Sequence, residues 1–147
     1  MVTEKAEAEG HLKTIGAFVL TFDITAFGND IYIPLGADRQ TGTTTIGNVG
    51  AEYSIVNGSG ERYALGSVSG VLDIRSARES SGYFKLNEGS TYRATLNSSL
   101  DNTGAVPDFY RVELEALRFK VGSPTGTEHT ITSGFNEFET GVVSIRS

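Results

Sequence analysis

The residues best suited to chemistry in this sequence are acidic and amide side chains gathered in polar loops. Asp101, Asn102 and Asp108 fall in one predicted loop, and Asn29 and Asp30, with a neighbouring Glu, fall near another turn. Oxygen atoms on a flexible loop are the ligands that calcium prefers. The spacing matches no EF-hand, and the same residue types are common in plain turns. The candidate calcium ligands are therefore Asp101, Asn102 and Asp108. The alternative is that these residues only form ordinary turns and bind no metal. No other cofactor is expected.

Four tyrosines form a second candidate set, for ligand binding: Tyr32, Tyr53, Tyr63 and Tyr83. Each lies near the end of a predicted strand, or alternates with the inward-facing residues so that its side chain is predicted to point away from the core. A phenol ring in such a position can stack on a sugar or anchor a protein contact. The alternative is packing in the core or at its rim, and the absence of tryptophan removes the usual platform for sugar stacking.

Signals for catalysis are weak. The chain has no cysteine, which excludes thiol nucleophiles, thiolate metal sites and disulfide bonds. His11 and His129 fall in a predicted linker and loop, without a second ligand at a suitable spacing. No Gly-x-Ser-x-Gly elbow is present. Glu113 and Glu115 alternate with apolar residues, which is typical of the solvated face of a strand. We therefore expect a protein without enzymatic activity.

The charge and hydropathy of the chain exclude further classes of partner. Lys and Arg number 12 and Asp and Glu number 18, a formal charge of −6, which repels phosphate backbones and anionic lipid surfaces. The longest apolar run, Ala17 to Leu20, is far shorter than the roughly 20 residues that cross a bilayer. Met1 to Glu9 lacks the basic start and apolar stretch of an export signal. We expect no nucleic-acid partner and no membrane insertion.

Strands must position these side chains, because apolar residues recur with a period of two along most of the chain. The clearest strand begins after Gly16, and its inward positions are Phe18, Leu20, Phe22 and Ile24. Further strands are predicted at 31–33, 51–56, 62–65, 71–74, 83–86, 91–96, 110–121 and 142–145. Within 110–121 the apolar parity changes near Glu115, which predicts a β-bulge.

Turn chemistry separates these strands. Asn87 to Ser90 is a tight turn between 83–86 and 91–96, which predicts that these two strands form a hairpin. A strand at Thr43 to Ile46 and a single helical turn at Ser76 to Ser80 are further candidates. Three stretches are predicted to be loops: 36–50, 98–107 and 123–134.

About eight or nine short strands with regular turn signals predict an all-β chain, folded as an antiparallel two-sheet sandwich of about 7–9 strands, with a closed barrel as the alternative. Residues 1–15 are predicted to be an N-terminal linker or a short helix or strand, and residues 16–147 a single β-sandwich domain. The core is expected to centre on the inward apolar positions, foremost Phe18, Leu20, Phe22, Leu96, Val112 and Leu114.

Three stretches have a recognisable order and spacing: Phe22 to Pro34, Ser81 to Gly89, and Phe109 to Leu114. Together with Phe138 to Thr140, which leads into the last predicted strand, they resemble immunoglobulin-like modules in exported proteins of bacteria. The resemblance covers residues 16–146. It implies an immunoglobulin-like sandwich and carries over no catalytic residue.

The resemblance also implies a place and a role. Such modules commonly occupy the C-terminal part of surface or cell-wall-associated proteins, sometimes beside peptidoglycan-binding domains. It implies a non-catalytic structural or adhesive module, outside the cell or on its surface, that contacts neighbouring domains of a parent protein or cell-surface components. The alternatives are a carbohydrate- or peptidoglycan-binding module and a self-assembling surface-layer or fibre subunit.

Overall fold

The computed structural model describes residues 2–10, 15–42, 48–101, 108–132, 139–140 and 143–145. These residues form twelve strands. In chain order they are β1 Val2–Gly10, β2 Ile15–Thr25, β3 Ile31–Pro34, β4 Ala37–Arg39, β5 Ala51–Val56, β6 Ser67–Ile74, β7 Arg78–Ser80, β8 Tyr83–Leu86, β9 Thr91–Asp101, β10 Asp108–Val121, β11 Glu128–Ile131 and β12 Val143–Ile145. The described part of the chain contains no helix with the length and hydropathy needed to cross a bilayer.

The smaller sheet contains four antiparallel strands in the order β1-β2-β9-β6. β2 pairs with β9 along its whole length, from Ile15 opposite Asp101 to Thr25 opposite Thr91. β1 pairs with β2 over residues 2–10. The segment before Gly10 is therefore an edge strand of this sheet.

The larger sheet contains eight strands organised around β10. Its main order is β4-β5-β10-β3-β8-β7, and β11 and β12 also pair with β10. Leu117 pairs with both β5 and β11, and Lys120 pairs with both β3 and β11. Because a strand has only two edges, β5 and β3 follow each other along one edge of β10, and β11 lies along the other.

The predicted β-bulge in the longest strand is confirmed. The register between β10 and β5 shifts between Leu114 and Ala116. The extra residue changes the parity, so that Leu117 points inward as Val112 and Leu114 do, and all three are buried. β10 thereby bends without losing its buried face.

The two sheets pack face to face over one cluster of buried side chains that both contribute. The alternation of inward and outward residues along β2 and β9 produces the inner face of the smaller sheet. The predicted all-β class is confirmed. The six residues foremost in the predicted core are each at most 4% exposed: Phe18, Leu20, Phe22, Leu96, Val112 and Leu114.

The predicted hairpin between 83–86 and 91–96 is wrong. β8 pairs with β3 and β7 in the larger sheet, whereas β9 pairs with β2 and β6 in the smaller one. The turn between them carries the chain from one sheet to the other. Gly89 N–H donates to the carbonyl of Ala26 at 2.8 Å, and Asn87 N–H donates to the Tyr92 hydroxyl at 2.9 Å. The first bond ties the crossing to the residue that follows β2, and the second ties it to β9.

Short strands lie where the sequence predicted loops or a helical turn. β4 falls within the predicted loop 36–50 and pairs in parallel with β5, so the expected wholly antiparallel arrangement is wrong for this pair. β11 falls within the predicted loop 123–134, and β7 replaces the helical turn predicted at 76–80. These additions raise the number of strands above the expected 7–9. The candidate strand at 43–46 lies outside the described residues.

The strand predicted at 62–65 is wrong, apart from an isolated bridge between Arg62 and Val56. Its backbone carbonyls instead accept hydrogen bonds from a side chain. The Arg39 guanidinium donates to the carbonyl of Leu65 at 2.9 Å and reaches the adjoining carbonyls at 3.3 to 3.5 Å. A side chain thus binds backbone groups that a sheet would otherwise pair.

Candidate functional site

The long strand β10 defines the two ends of the sandwich. β2 and β10 finish at the same end, because Thr25 and Val121 line one pocket. We call this the Phe27 end, after the exposed residue that follows β2. β10 begins at the other end, which we call the Phe109 end. β10 has 14 residues, so at a rise of about 3.3 Å per residue the two ends are about 43 Å apart along the strand.

The first and last described strands place the entry and exit of the chain at opposite ends. β1 begins at the Phe27 end, because Val2 pairs with Ile24. β12 finishes at the Phe109 end, because Ile145 pairs with Asp108. Segments attached before Val2 and after Ile145 would therefore leave the sandwich in opposite directions.

An apolar pocket of about 230 Å³ opens between the two sheets at the Phe27 end. Its walls come from β2, β3, β10 and β11, among them Ile24, Phe119 and Ile131. Phe27 stands at its rim with 72% of its surface exposed. The described lining residues carry no charge, so the pocket is suited to an uncharged apolar group.

A second cleft, of about 360 Å³, lies where edge strand β4 of the larger sheet faces edge strand β6 of the smaller one. Asp38, Arg39, Thr41 and Tyr53 line the side that belongs to the larger sheet, and Gly70 of β6 lines the other. A Cβ atom on Gly70 would lie 2.5 Å from the Tyr53 hydroxyl oxygen. Glycine is therefore needed for that ring to reach the cleft. Because the charges of Asp38 and Arg39 cancel, the cleft is suited to a neutral hydroxylated ligand.

The four candidate tyrosines are not brought together. Tyr53 is 1% exposed and belongs to the core, so the expectation of an accessible ring is wrong there. Burial raises the pKa of the Tyr53 hydroxyl, since the charged phenolate is poorly solvated inside the protein. Tyr63 packs on Tyr110, with ring centroids 4.9 Å apart, at the margin of the core.

Tyr32 and Tyr83 do share a surface. They are diagonal neighbours on the outward face of β3 and β8, where Tyr32 pairs with Lys85. The Lys120 ammonium lies 5.5 Å from the centroid of the Tyr83 ring, a cation–π contact. Both rings are half-buried, and lysines flank them, so this pair offers a small basic aromatic surface.

The calcium candidates are only partly described. Asp101 ends β9 and Asp108 begins β10, while Asn102 lies outside the described residues. Asp108 Oδ1 accepts the N–H of Phe109 at 2.7 Å. Where the chain is described, no group of three His, Cys, Asp or Glu residues is arranged to hold a metal ion. A calcium site formed with Asn102 stays a prediction.

The alternative loop at Asn29 and Asp30 has protein partners for its carboxylate. Asp30 Oδ1 accepts the N–H of Glu88 at 2.9 Å, and Asp30 Oδ2 lies 3.7 Å from Lys85 Nζ. These contacts hold the 28–30 turn against the 87–90 crossing. Asp30 thus positions the backbone at the Phe27 end.

Sequence reasoning missed a buried ion pair on the outward face of β5 and β10. Arg118 Nη2 lies 2.8 Å from Glu52 Oε2, with side chains only 9% and 8% exposed. Gln40 Nε2 donates to Glu52 Oε1 at 2.8 Å, and Arg118 N–H donates to the Gly50 carbonyl at 2.9 Å. Arg118 Nη1 has no hydrogen-bond partner among the described residues. Charged residues on the outward parity are normally solvated, so the sequence offered no signal for this pair.

A second ionic cluster attaches the 139–140 segment to β10. Arg111 lies 3.3 Å from a carboxylate oxygen of Glu113 and 3.3 Å from one of Glu139. Thr140 N–H donates to the Val112 carbonyl at 2.8 Å. Burial and a hydrogen bond to Glu139 raise the pKa of Glu113, although the Arg111 charge opposes the rise. Glu113 is thus part of a shared contact rather than of a fully solvated face.

Comparisons with family models, curated proteins and solved structures find no match for this chain.

Proposed function

We propose that this chain is a non-catalytic immunoglobulin-like spacer module of an exported bacterial surface protein, which holds neighbouring domains of that protein apart. The observation that carries the proposal is the position of the terminal strands. The chain enters at the Phe27 end beside Ile24 and leaves at the Phe109 end beside Asp108. Modules joined through opposite ends add their lengths when the connections between them are short, because each connection leaves from the end farthest from the previous one.

The attachment of the terminal strands supports the same role. β1 is held to β2 by nine residue pairs, from Val2 opposite Ile24 to Gly10 opposite Gly16. β12 pairs with β10, and β10 also pairs with β3, β5 and β11. Both attachment points thus belong to sheets that share one core, which fixes the distance between the neighbours.

Small-angle X-ray scattering on proteins of one, two and three copies joined in series tests the spacing. Each added copy is expected to lengthen the maximum dimension by about 40 Å, close to the length of β10. A pair joined by a long Gly/Ser linker is the matched control, since its dimension is broadly distributed. A directly joined pair that is scarcely longer than one copy contradicts the spacer role.

The proposed location has its own test. The complete open reading frame is expected to encode an export signal upstream and wall-associated domains beside this module. Fractionation of the producing cell, with protease treatment of intact cells, is expected to place the module at the surface. A complete protein without either feature, protected from protease inside the cell, contradicts that location.

A carbohydrate-binding module is the second candidate, and the polar cleft between β4 and β6 favours it. Asp38 and Thr41 supply a carboxylate and a hydroxyl to a cleft of about 360 Å³ without net charge. Titration with a panel of soluble glycans and peptidoglycan fragments is expected to shift the amide resonances of both residues. Asp38→Asn is expected to weaken that response, and a panel that shifts no resonance refutes this candidate.

A further inference from the structure

Asn57 and Gly58 begin the turn that follows β5, at the Phe109 end of the sandwich. They form the one Asn-Gly pair in the sequence. In such a pair the backbone nitrogen of the glycine approaches the side-chain amide carbon of the asparagine easily, because the glycine has no Cβ to hinder it. Gly58 is exposed and Asn57 is half-buried, so water and hydroxide reach the pair.

We propose that Asn57 is a self-modification site, which the folded protein converts spontaneously to aspartate and isoaspartate. The Gly58 nitrogen loses its proton to hydroxide and forms a bond to Asn57 Cγ. The bond from Cγ to Nδ2 breaks, and Nδ2 takes up a proton from water and leaves as ammonia. Water then opens the resulting succinimide. Opening at Cγ gives aspartate, whereas opening at the former backbone carbonyl gives isoaspartate. This chemistry does not depend on the spacer role.

The turn already holds the oxygen atom on which negative charge develops. Asn57 Oδ1 accepts the N–H of Ser59 and the N–H of Glu61, each at 3.0 Å. When the Gly58 nitrogen attacks Cγ, this oxygen becomes an oxyanion, and two donors are in place to stabilise it. In the oxyanion holes of enzymes, a single such donor contributes about 10²–10³ in rate. Backbone hydrogen bonds between Asn57 and Glu61 at 2.9 Å and between Gly60 and Asn57 at 3.0 Å fix the turn.

The attacking and the leaving nitrogen atoms are both unhindered. Within the described ranges, neither the Gly58 N–H nor Asn57 Nδ2 has a hydrogen-bond partner. Asn87 provides the contrast, since it is likewise exposed and begins a turn after a strand. The residue after it, Glu88, carries a Cβ, and its N–H donates to Asp30 Oδ1 at 2.9 Å. The same attack is therefore blocked at Asn87.

The modification changes the charge of the Phe109 end. A Cβ on Gly58 would lie 2.6 Å from Asp108 Oδ1, so the Asp108 carboxylate lies against this turn. Conversion of Asn57 adds a second carboxylate to the same region, and like charges this close repel each other. The converted protein is therefore more negative and is retained longer on an anion-exchange column.

Peptide-mapping mass spectrometry of the full chain, incubated at mildly alkaline pH, tests the site. The peptide that contains Asn57 is expected to exchange an NH2 group for OH, faster as pH rises, and to be labelled by an isoaspartyl methyltransferase. The peptide that contains Asn87 is the internal control and is expected to stay unchanged. Gly58→Ala is expected to slow the conversion at least several-fold, because the added Cβ hinders the attack.

Incubation in urea separates the contribution of the turn from that of the Asn-Gly sequence. Unfolding removes the two donors to Asn57 Oδ1, so conversion is expected to be several-fold slower in urea than in native buffer at the same pH. Conversion that is as fast in urea, or faster, overturns the proposal, since the native turn then gives no assistance. An Asn57 that converts no faster than Asn87 in the folded chain also overturns it, and neither comparison needs a variant.

Discussion

Replacing Arg118 by Met tests whether burial, and not the contact distance, determines the strength of the ion pairs in this protein. The substitution removes the guanidinium that lies 2.8 Å from Glu52 and keeps most of the apolar stem. The Glu52 carboxylate then stays buried, and within the described ranges the Gln40 amide still donates a hydrogen bond to it. A carboxylate in that position has lost its neutralising charge and has little access to water.

The size of the effect follows from a comparison of two ion pairs. Arg62 and Glu115 approach to 2.7 Å, as closely as Arg118 and Glu52, but their side chains are 44% and 25% exposed, against 9% and 8%. Removing one partner of a buried pair costs about 3–5 kcal/mol. An exposed pair contributes about 0–1 kcal/mol. Arg118→Met is therefore expected to destabilise the protein by several kcal/mol more than Arg62→Met.

Urea denaturation of both variants, and of the double variant Glu52→Leu/Arg118→Met, measures these differences. The double variant is expected to recover most of the loss, since an apolar pair of similar volume is often as stable as the ion pair it replaces. The loss in Arg118→Met is expected to persist at high salt, whereas any loss in Arg62→Met shrinks with screening. Equal losses in Arg118→Met and Arg62→Met refute the reasoning.

Three further substitutions test the packing and the titration of the fold. Gly70→Ala places a Cβ 2.5 Å from the buried Tyr53 hydroxyl and is expected to lower the free energy of unfolding by about 1–3 kcal/mol, measured by urea denaturation. Gly42→Ala is the control, because its Cβ would have nothing within 4 Å, and it is expected to leave the stability nearly unchanged. Equal losses in the two variants contradict the clash. Leu96→Ala leaves a core cavity and is expected to lower the free energy of unfolding by about 2–5 kcal/mol in the same assay. A loss below about 1 kcal/mol contradicts the placement of Leu96 in a well-packed core. Because the pKa of Glu113 is raised in the fold, its stabilising contribution is present at low pH and is lost as pH rises through the folded-state pKa. Glu113→Gln should therefore lose less stability than the wild type between pH 4 and 7, and equal slopes contradict this assignment.

The sequence predicted the features that depend on local alternation. The parity of Phe18, Leu20 and Phe22 placed them in the core because a strand presents successive side chains to opposite faces. The change of parity near Glu115 located the bulge for the same reason, since only an extra residue keeps Leu117 inward. Both inferences depend on neighbours within a few residues.

Features that depend on which strands become neighbours were beyond the sequence. The turn at 87–90 has the composition of a hairpin, but the same turn can carry the chain between sheets, as it does here. β11 escaped prediction because Glu128, His129 and Thr130 are exposed and show no apolar alternation. The candidate sites depend on long-range contacts in the same way. The burial of Tyr53 and the pairing of Arg118 with Glu52 both depend on residues far apart in the chain, so the local sequence pattern did not predict them.

The central position of β10 has a consequence for the order in which the protein is made. Four strands pair with β10: β3 and β5 precede it in the chain, and β11 and β12 follow it. The smaller sheet likewise joins β2 to the distant β9. Neither sheet is therefore complete until synthesis has passed residue 100, and pairing between such distant segments takes milliseconds to seconds. For most of its synthesis the growing chain therefore lacks the partners that either sheet needs, because β9 and β10 are made late and together pair with strands from both sheets.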